Sequence, residues 1–214
     1  MSTLKHSGDL KYLEDEKWKR IKDPSLIDKC DVLKLVPPGS VFVTMSDEWV
    51  SYLIGIFGML MYFPKALKSG FRVCFSHVGF YLGSGENLVI DANAKGVTKN
   101  HLDKLLEDNH KLKVYRNKNL TVEQLQLLKD WCYSKLGKKY DWRAFANFIF
   151  NYIGEEKDAY ICTEFVLNGL KDVELPYDKS WKKLSNVHPI EFVNFFESNY
   201  GEKEGWDLIL SWGY

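Results

Sequence analysis

Tyr160-Ile161-Cys162-Thr163-Glu164-Phe165-Val166 reads as a short polar-to-apolar lead-in followed by a helix that starts near Cys162 and runs to about Leu170. Unpaired backbone N–H groups and the helix dipole at such a start favour a thiolate, and the Cys162 N–H can itself donate to a developing oxyanion. Upstream, Ser76-His77-Val78-Gly79-Phe80-Tyr81-Leu82-Gly83 has the composition of a strand and carries an imidazole. A thiol on a helix start and a base on a strand are the parts nucleophilic catalysis needs.

Around these two segments the chain reads as α+β. Pro37-Pro38-Gly39 introduces a β-type run, Ser40 to Thr44. The histidine strand, spanning Phe71 to Leu82, should pair through the turn Gly83 to Asn87 with Leu88-Val89-Ile90-Asp91-Ala92. Asp91 is then the carboxylate candidate that holds the His77 tautomer, provided the register brings both side chains to one face. A third strand, Lys111 to Arg116, is expected beside that hairpin. Thr121, with Gln124 three positions on, marks the capping box of a helix that carries Leu125, Leu128, Trp131, Cys132 and Leu136 on one face and stops at Gly137. Cys132 is therefore a core residue. Leu10 to Ile21 is charged and helix-prone, so the expected organisation is a helical extension over 1–35, a catalytic domain over 36–195 and a tail over 196–214 packed on that domain.

Composition narrows the function classes. With 45% hydrophobic residues among 214, the chain suits one well-packed domain, and 29 basic against 29 acidic residues leave no global field for a nucleic acid or an anionic bilayer. Cys30, Cys74, Cys132 and Cys162 show no CxxC pair, the pattern of a reduced intracellular protein, and Met1 to Glu16 has no apolar export core. A cytoplasmic protein is the expectation, with delivery by a phage or association with a virion as the other route. His101, His110 and His188 form no metal-ligand spacing with any cysteine, so zinc is disfavoured. Trp49 to Phe63 is apolar but, at 15 residues, short of the roughly 20 that span a bilayer. It reads as a helix in the core, or as one that meets a membrane surface peripherally.

The ordered motifs resemble the circularly permuted NlpC-like branch of the papain-like cysteine hydrolases, with YiiX-like bacterial proteins and, more distantly, the lecithin retinol acyltransferase group. Pro38-Gly39-Ser40-Val41-Phe42 is similar to that family's entry strand, Ser76-His77-Val78-Gly79 to its histidine strand, and Val89-Ile90-Asp91-Ala92 to the strand of its third polar residue. Gly137-Lys138-Lys139-Tyr140-Asp141-Trp142 resembles its Gly-x-x-Tyr-Asp-aromatic segment, and Asn186-Val187-His188-Pro189-Ile190-Glu191-Phe192 its closing segment. His77 precedes Cys162, the order that the permuted branch requires. Ser40 stands where Asp is usual after Gly, and Asp91 where Glu, His or another polar residue is common.

The resemblance implies a permuted papain-like fold, a small antiparallel sheet packed on helices, and a hydrolase that uses Cys162, His77 and Asp91 without a cofactor. It implies a thioester route to an amide, with an acyl-lipid linkage as the other substrate class. Tyr140 and Ser76 are candidates for the oxyanion or substrate pocket, and Glu164 for a cap on the Cys162 helix. A binding or virion-associated module that kept the fold and lost turnover is the alternative from another class. Oligomeric state is not legible.

Overall fold

The computed structural model describes residues 10–14, 17–21, 35–46, 54, 75–83, 88–102, 104–105, 109–144, 158–181 and 187–212. An eight-stranded antiparallel sheet organises them. In chain order its strands are β1 (Leu10–Glu14), β2 (Lys17–Ile21), β3 (Ser40–Ser46), β4 (His77–Gly83), β5 (Leu88–Asn93), β6 (Gly96–His101), β7 (Asn109–Asn117) and β10 (Trp206–Trp212). Across the sheet they run β2-β1-β10-β7-β3-β4-β5-β6. Two short parallel strands, β8 (Lys139–Tyr140) and β9 (Ala159–Tyr160), form a separate pair. The helices that lie wholly within the described residues are α1 (Val122–Lys135), α2 (Cys162–Asp172), α3 (Pro189–Phe196) and α4 (Asn199–Lys203).

β3, β4 and β5 are rich in β-branched and aromatic residues, which suit a pleated surface covered on both faces. Val41, Val43, Val78, Phe80 and Ile90 join Phe165, Val166, Leu170 and Trp131 in the main core, between the sheet and α1, α2 and α3. The second cluster takes the alternate residues Phe42, Tyr81 and Val89 of these strands, with Val114 of β7 and Trp212 of β10. Each such side chain, fully buried, contributes about 1.5–3 kcal/mol. Gly169 lets α2 approach closely: a Cβ there would lie 2.7 Å from the Phe80 ring and 3.1 Å from Trp131. Phe165 fills the adjoining space, its ring 4.9 Å from Trp131 and 5.9 Å from Phe80. The helix that begins at Cys162 is thus wedged between α1 and β4.

The β4–β5 hairpin and both principal helices form where the sequence predicts them. In α1 the Thr121 hydroxyl accepts from the Gln124 N–H and the Gln124 amide oxygen accepts from the Thr121 N–H, each at 3.1 Å. After Leu136 the chain turns through Gly137 at a φ of 77°. Cys132 is fully buried, as expected of a core residue.

Three expectations need correction. The segment Leu10–Ile21 is a β-hairpin, with Leu10 opposite Ile21 and Glu14 opposite Lys17, instead of a helix. It pairs with β10, whose run Trp-Asp-Leu-Ile-Leu-Ser-Trp is an interior strand bonded to β1 on one side and β7 on the other, so the C-terminal residues complete the sheet and are no tail laid on it. Saturating a strand edge outweighs the weak helix propensity of a charged segment. The strand at Lys111–Arg116 exists within β7 but pairs with β3 and β10. The hairpin's own neighbour is β6, whose polar run Gly-Val-Thr-Lys-Asn-His gave no strand signal.

The proposed helix at Trp49 to Phe63 lies outside the described residues except for Ile54, which is helical and buried. Among the described residues no helix is long and apolar enough to cross a membrane.

Candidate active site

Sheet register brings His77 and Asp91 together. Gly79 of β4 pairs with Asp91 of β5 on one side and Phe42 of β3 on the other, and His77 lies two residues before Gly79, on the same face. The diagonal His77–Asp91 pair therefore reaches across a position without a side chain. A Cβ at Gly79 would sit 2.9 Å from the Asp91 Cβ and 2.4 Å from the Phe42 ring. Through this gap His77 Nε2 and Asp91 Oδ2 approach to 2.8 Å. The carboxylate is 3% exposed and the imidazole 18%, so the pair is shielded from competing water while the ring keeps an open edge. Phe42 flanks it, ring centroids 6.1 Å apart.

Cys162 acts on the same imidazole and favours its charged form. With Nε2 engaged by Asp91, Nδ1 is the ring nitrogen left for the thiol. Burial works against a charged ring here. The hydrogen bonds to Asp91 and Cys162 and the charges on both outweigh it, and the His77 pKa is pushed up to about 10. The imidazolium is the form this pocket favours, which is the partner a thiolate needs.

Cys162 is the first residue of α2 and is buried. The N-cap is Ile161, whose side chain has no acceptor, so no side chain at that position competes for the first-turn N–H groups. Glu164 caps from within, its carboxylate accepting the Ile161 N–H at 3.4 Å, the capping contact expected of it. Cys132, by contrast, has its thiol pKa pushed well up by burial alone.

The two-stranded β8–β9 pair sets Tyr140 opposite Tyr160, two residues before the cysteine. Tyr140 consequently lines the cleft at Cys162 together with Ile54, Ile161, Thr163, Val187 and Pro189. Burial, followed by the nearby negative charges of Cys162, Asp141 and Glu164, pushes the Tyr140 hydroxyl pKa well up and keeps it a protonated donor. Asp141 accepts the Ala144 N–H at 2.7 Å and so starts the next helical turn. Ser76 is not brought into the cleft lining: its Oγ and its backbone N–H both donate to the Thr44 carbonyl, at 3.5 and 2.9 Å, a strand-pairing role.

Sequence reasoning gave His188 no role beyond the resemblance of its segment. It is the N-cap of α3: Nδ1 accepts the Ile190 N–H at 3.2 Å, so Nε2 carries the proton and donates to the Ile54 carbonyl at 3.1 Å. This neutral ring ties the apolar segment at Ile54 to the Val187–Pro189 side of the same cleft. Burial drives its pKa down to about 4, against the opposing pull of the Ile54 carbonyl. The signal in the sequence was the His-Pro-x-Glu pattern of a capped helix start. Among the described residues no group of three His, Cys, Asp or Glu side chains could hold a metal ion.

A buried thiol at a helix start, an imidazole facing it and a carboxylate on the next strand lie together, with the histidine ahead of the cysteine in the chain. Residues 61–189 match the model of the family described as permuted papain-like amidase enzymes, YaeF/YiiX, C92 family, and the chain belongs to that family. The chain is therefore a cysteine hydrolase of the amidase type at the level of its family. The fold is similar to that in the crystal structure of metalloprotein yiiX from Escherichia coli O157:H7, with a TM-score of 0.45 and 17% identity over 83% of this chain and 89% of that one. No curated protein matches the chain.

Proposed function

We propose that the protein hydrolyses an amide, in a peptide or an acyl-amide, through a thioester on Cys162. In this reading the thiolate adds to the carbonyl carbon and the carbonyl π pair moves to oxygen, where the Cys162 N–H donates to it. Collapse of that oxyanion expels the amine, which takes the proton from the His77 imidazolium. The now neutral His77 removes a proton from water, the hydroxide adds to the thioester, and the second collapse releases the acid and the thiolate, with the proton again on His77. Asp91 holds the ring with Nδ1 toward sulfur throughout and favours the imidazolium.

The single observation that carries the reading is the placement of His77, bonded to Asp91 at 2.8 Å through Nε2 and acted on by Cys162 at the start of α2. The apolar residues Ile54, Val187 and Pro189 along the cleft support a second substrate class, an acyl-lipid ester or amide, and a peripheral approach of the 49–63 segment to a membrane. Incubation with paired libraries of peptide amides and fatty-acyl amides, followed by intact mass after acid quench, tests both. A mass increase equal to the acyl part, absent in Cys162→Ala, supports the thioester route and identifies the class. Release of product by Cys162→Ala at the wild-type rate would overturn it, and a chain that binds substrates without ever acylating would be the non-catalytic module.

A further inference from the structure

Asp91 does not hold its orientation alone. Its Oδ2 faces His77, and its Oδ1 is met by three donors among the described residues: Asn93 Nδ2 at 3.0 Å, Asn100 Nδ2 at 3.1 Å and the Thr98 hydroxyl at 3.4 Å. All come from the β5–β6 hairpin, with Thr98 the register partner of Asp91. Asn93 is itself locked: its Oδ1 accepts the Lys95 N–H at 2.9 Å in the turn, and its two amide hydrogens go to Asp91 and to Thr98 Oγ1, the latter at 2.6 Å. A carboxylate can only accept, so the Asn100 amide must present its nitrogen, and the amide orientations follow from chemistry.

We infer that Asn93, Thr98 and Asn100 form a donor cradle that pins Oδ1 of Asp91 and thereby aims Oδ2 at His77, making Asn93 and Asn100 positioning residues for the Cys162–His77 pair. The inference rests on the proposed roles of Cys162, His77 and Asp91. Its physical basis is that an Asp carboxylate turns freely about its terminal torsion unless both oxygens are held. A side chain that turns away from Nε2 no longer selects the ring orientation that leaves Nδ1 to the thiol.

The test uses iodoacetamide, which reads the Cys162 thiolate without a substrate, on the full chain from pH 5 to 8, with melting temperature recorded for every variant. Asn100→Leu removes one donor at similar volume, and labelling of Cys162 should slow about tenfold at all pH values, the worth of one hydrogen bond to a charged group. Asn100→Asp is the discriminating variant. At the acid end a proton shared between the two carboxyl groups replaces the amide hydrogen, and labelling should stay within about twofold of wild type. As pH rises that proton is lost, the carboxylates repel, and labelling relative to wild type should fall to the Asn100→Leu level. Asn100→Gln, which can still donate, should recover most of the rate. A residue that only packs would give no pH-dependent ratio. Wild-type labelling of Cys162 no faster than that of Cys132 would sink the nucleophile assignment itself. Fast wild-type labelling that Asn100→Leu leaves within twofold, or a pH-independent ratio for Asn100→Asp, would overturn the cradle alone.

Discussion

His77 and Asp91 are joined diagonally across two antiparallel strands, Nε2 to Oδ2 at 2.8 Å, over the bare backbone of Gly79. The glycine is a steric condition for that bond. Any side chain on it would meet Phe42 on one flank and Asp91 on the other.

Gly79→Ala should therefore damage the site more than it damages the fold. The added methyl meets the Phe42 ring and the Asp91 Cβ at distances that require one of them to move, an overpacking cost of about 1–3 kcal/mol. A thermal melt should show a lowered but cooperative transition, while Cys162 labelling near pH 7 falls to the level of His77→Ala. Wild-type labelling with a lowered melting temperature would mean that Asp91 is not what moves.

Cys162 and Cys132 should part sharply in reactivity. Burial holds the Cys132 thiol protonated, whereas Cys162 opens a helix beside the His77 imidazolium. Iodoacetamide near pH 7 should modify Cys162 well before Cys132, and also before Cys30 and Cys74, which lie outside the described residues. Labelling should slow in His77→Ala, and peptide mapping by mass spectrometry reads both effects.

Asp91→Asn should be nearly as damaging as Asp91→Ala. An amide in place of the carboxylate would turn its oxygen to the donors Asn93 and Asn100 and its NH2 to His77, where Nε2–H needs an acceptor. The imidazole is then driven to the tautomer with its proton on Nδ1, facing sulfur. Loss of orientation and base strength together should lower turnover about 10²–10⁴-fold, measured as the rate of acyl-enzyme formation. A variant within tenfold of wild type would show that the amide binds the other way round.

His188 should make the fold acid-sensitive. Its pKa is down near 4 in the folded protein, while the unfolded chain binds a proton at the ordinary value near 6.5. Between these values the unfolded state carries more protons, so this group's contribution to stability is complete above about 6.5 and is lost as pH falls toward 4. Protonation would also cost the Ile190 N–H its acceptor on Nδ1. His188→Asn, which can still cap α3, should lower stability at pH 7 and flatten the dependence between pH 7 and 4 in denaturant titrations. An equally steep profile in that variant would move the acid sensitivity to another group.

His77 carries the opposite sign. Its raised pKa means that the imidazolium's stabilisation is complete below about 6.5 and disappears as pH climbs through about 10. Stability of the wild type should therefore fall on the alkaline side relative to His77→Gln, and an unchanged difference between the two across pH 6.5 to 10 would contradict the raised value.

Much of the site is local chemistry, and local chemistry is legible in a chain. Thr121 with Gln124 marks a helix start because the two side chains satisfy each other's backbone donors, and Cys162 opens α2 because the apolar run Phe165 to Leu170 begins just after it. The hairpin that carries His77 and Asp91 follows from two β-rich runs and a glycine-rich turn. The order of His77 before Cys162 then pointed to the permuted arrangement.

Tertiary structure alone decided the rest, because it depends on who lies opposite whom. Leu10–Glu14 is a strand because β10 offers it an open edge, a partner almost two hundred positions away that no local propensity reports. Asn93, Thr98 and Asn100 look like the polar residues of an ordinary turn and surface strand, and only the β5–β6 register converts them into donors around one carboxylate oxygen. Ile54 is tied to the Val187–Pro189 side of the cleft through a single imidazole-to-carbonyl bond from His188. The residue types that do chemistry were set by the amino-acid sequence; their orientation was set by hydrogen bonds between segments that the sequence keeps far apart, since a side chain's direction is determined by its neighbours in space.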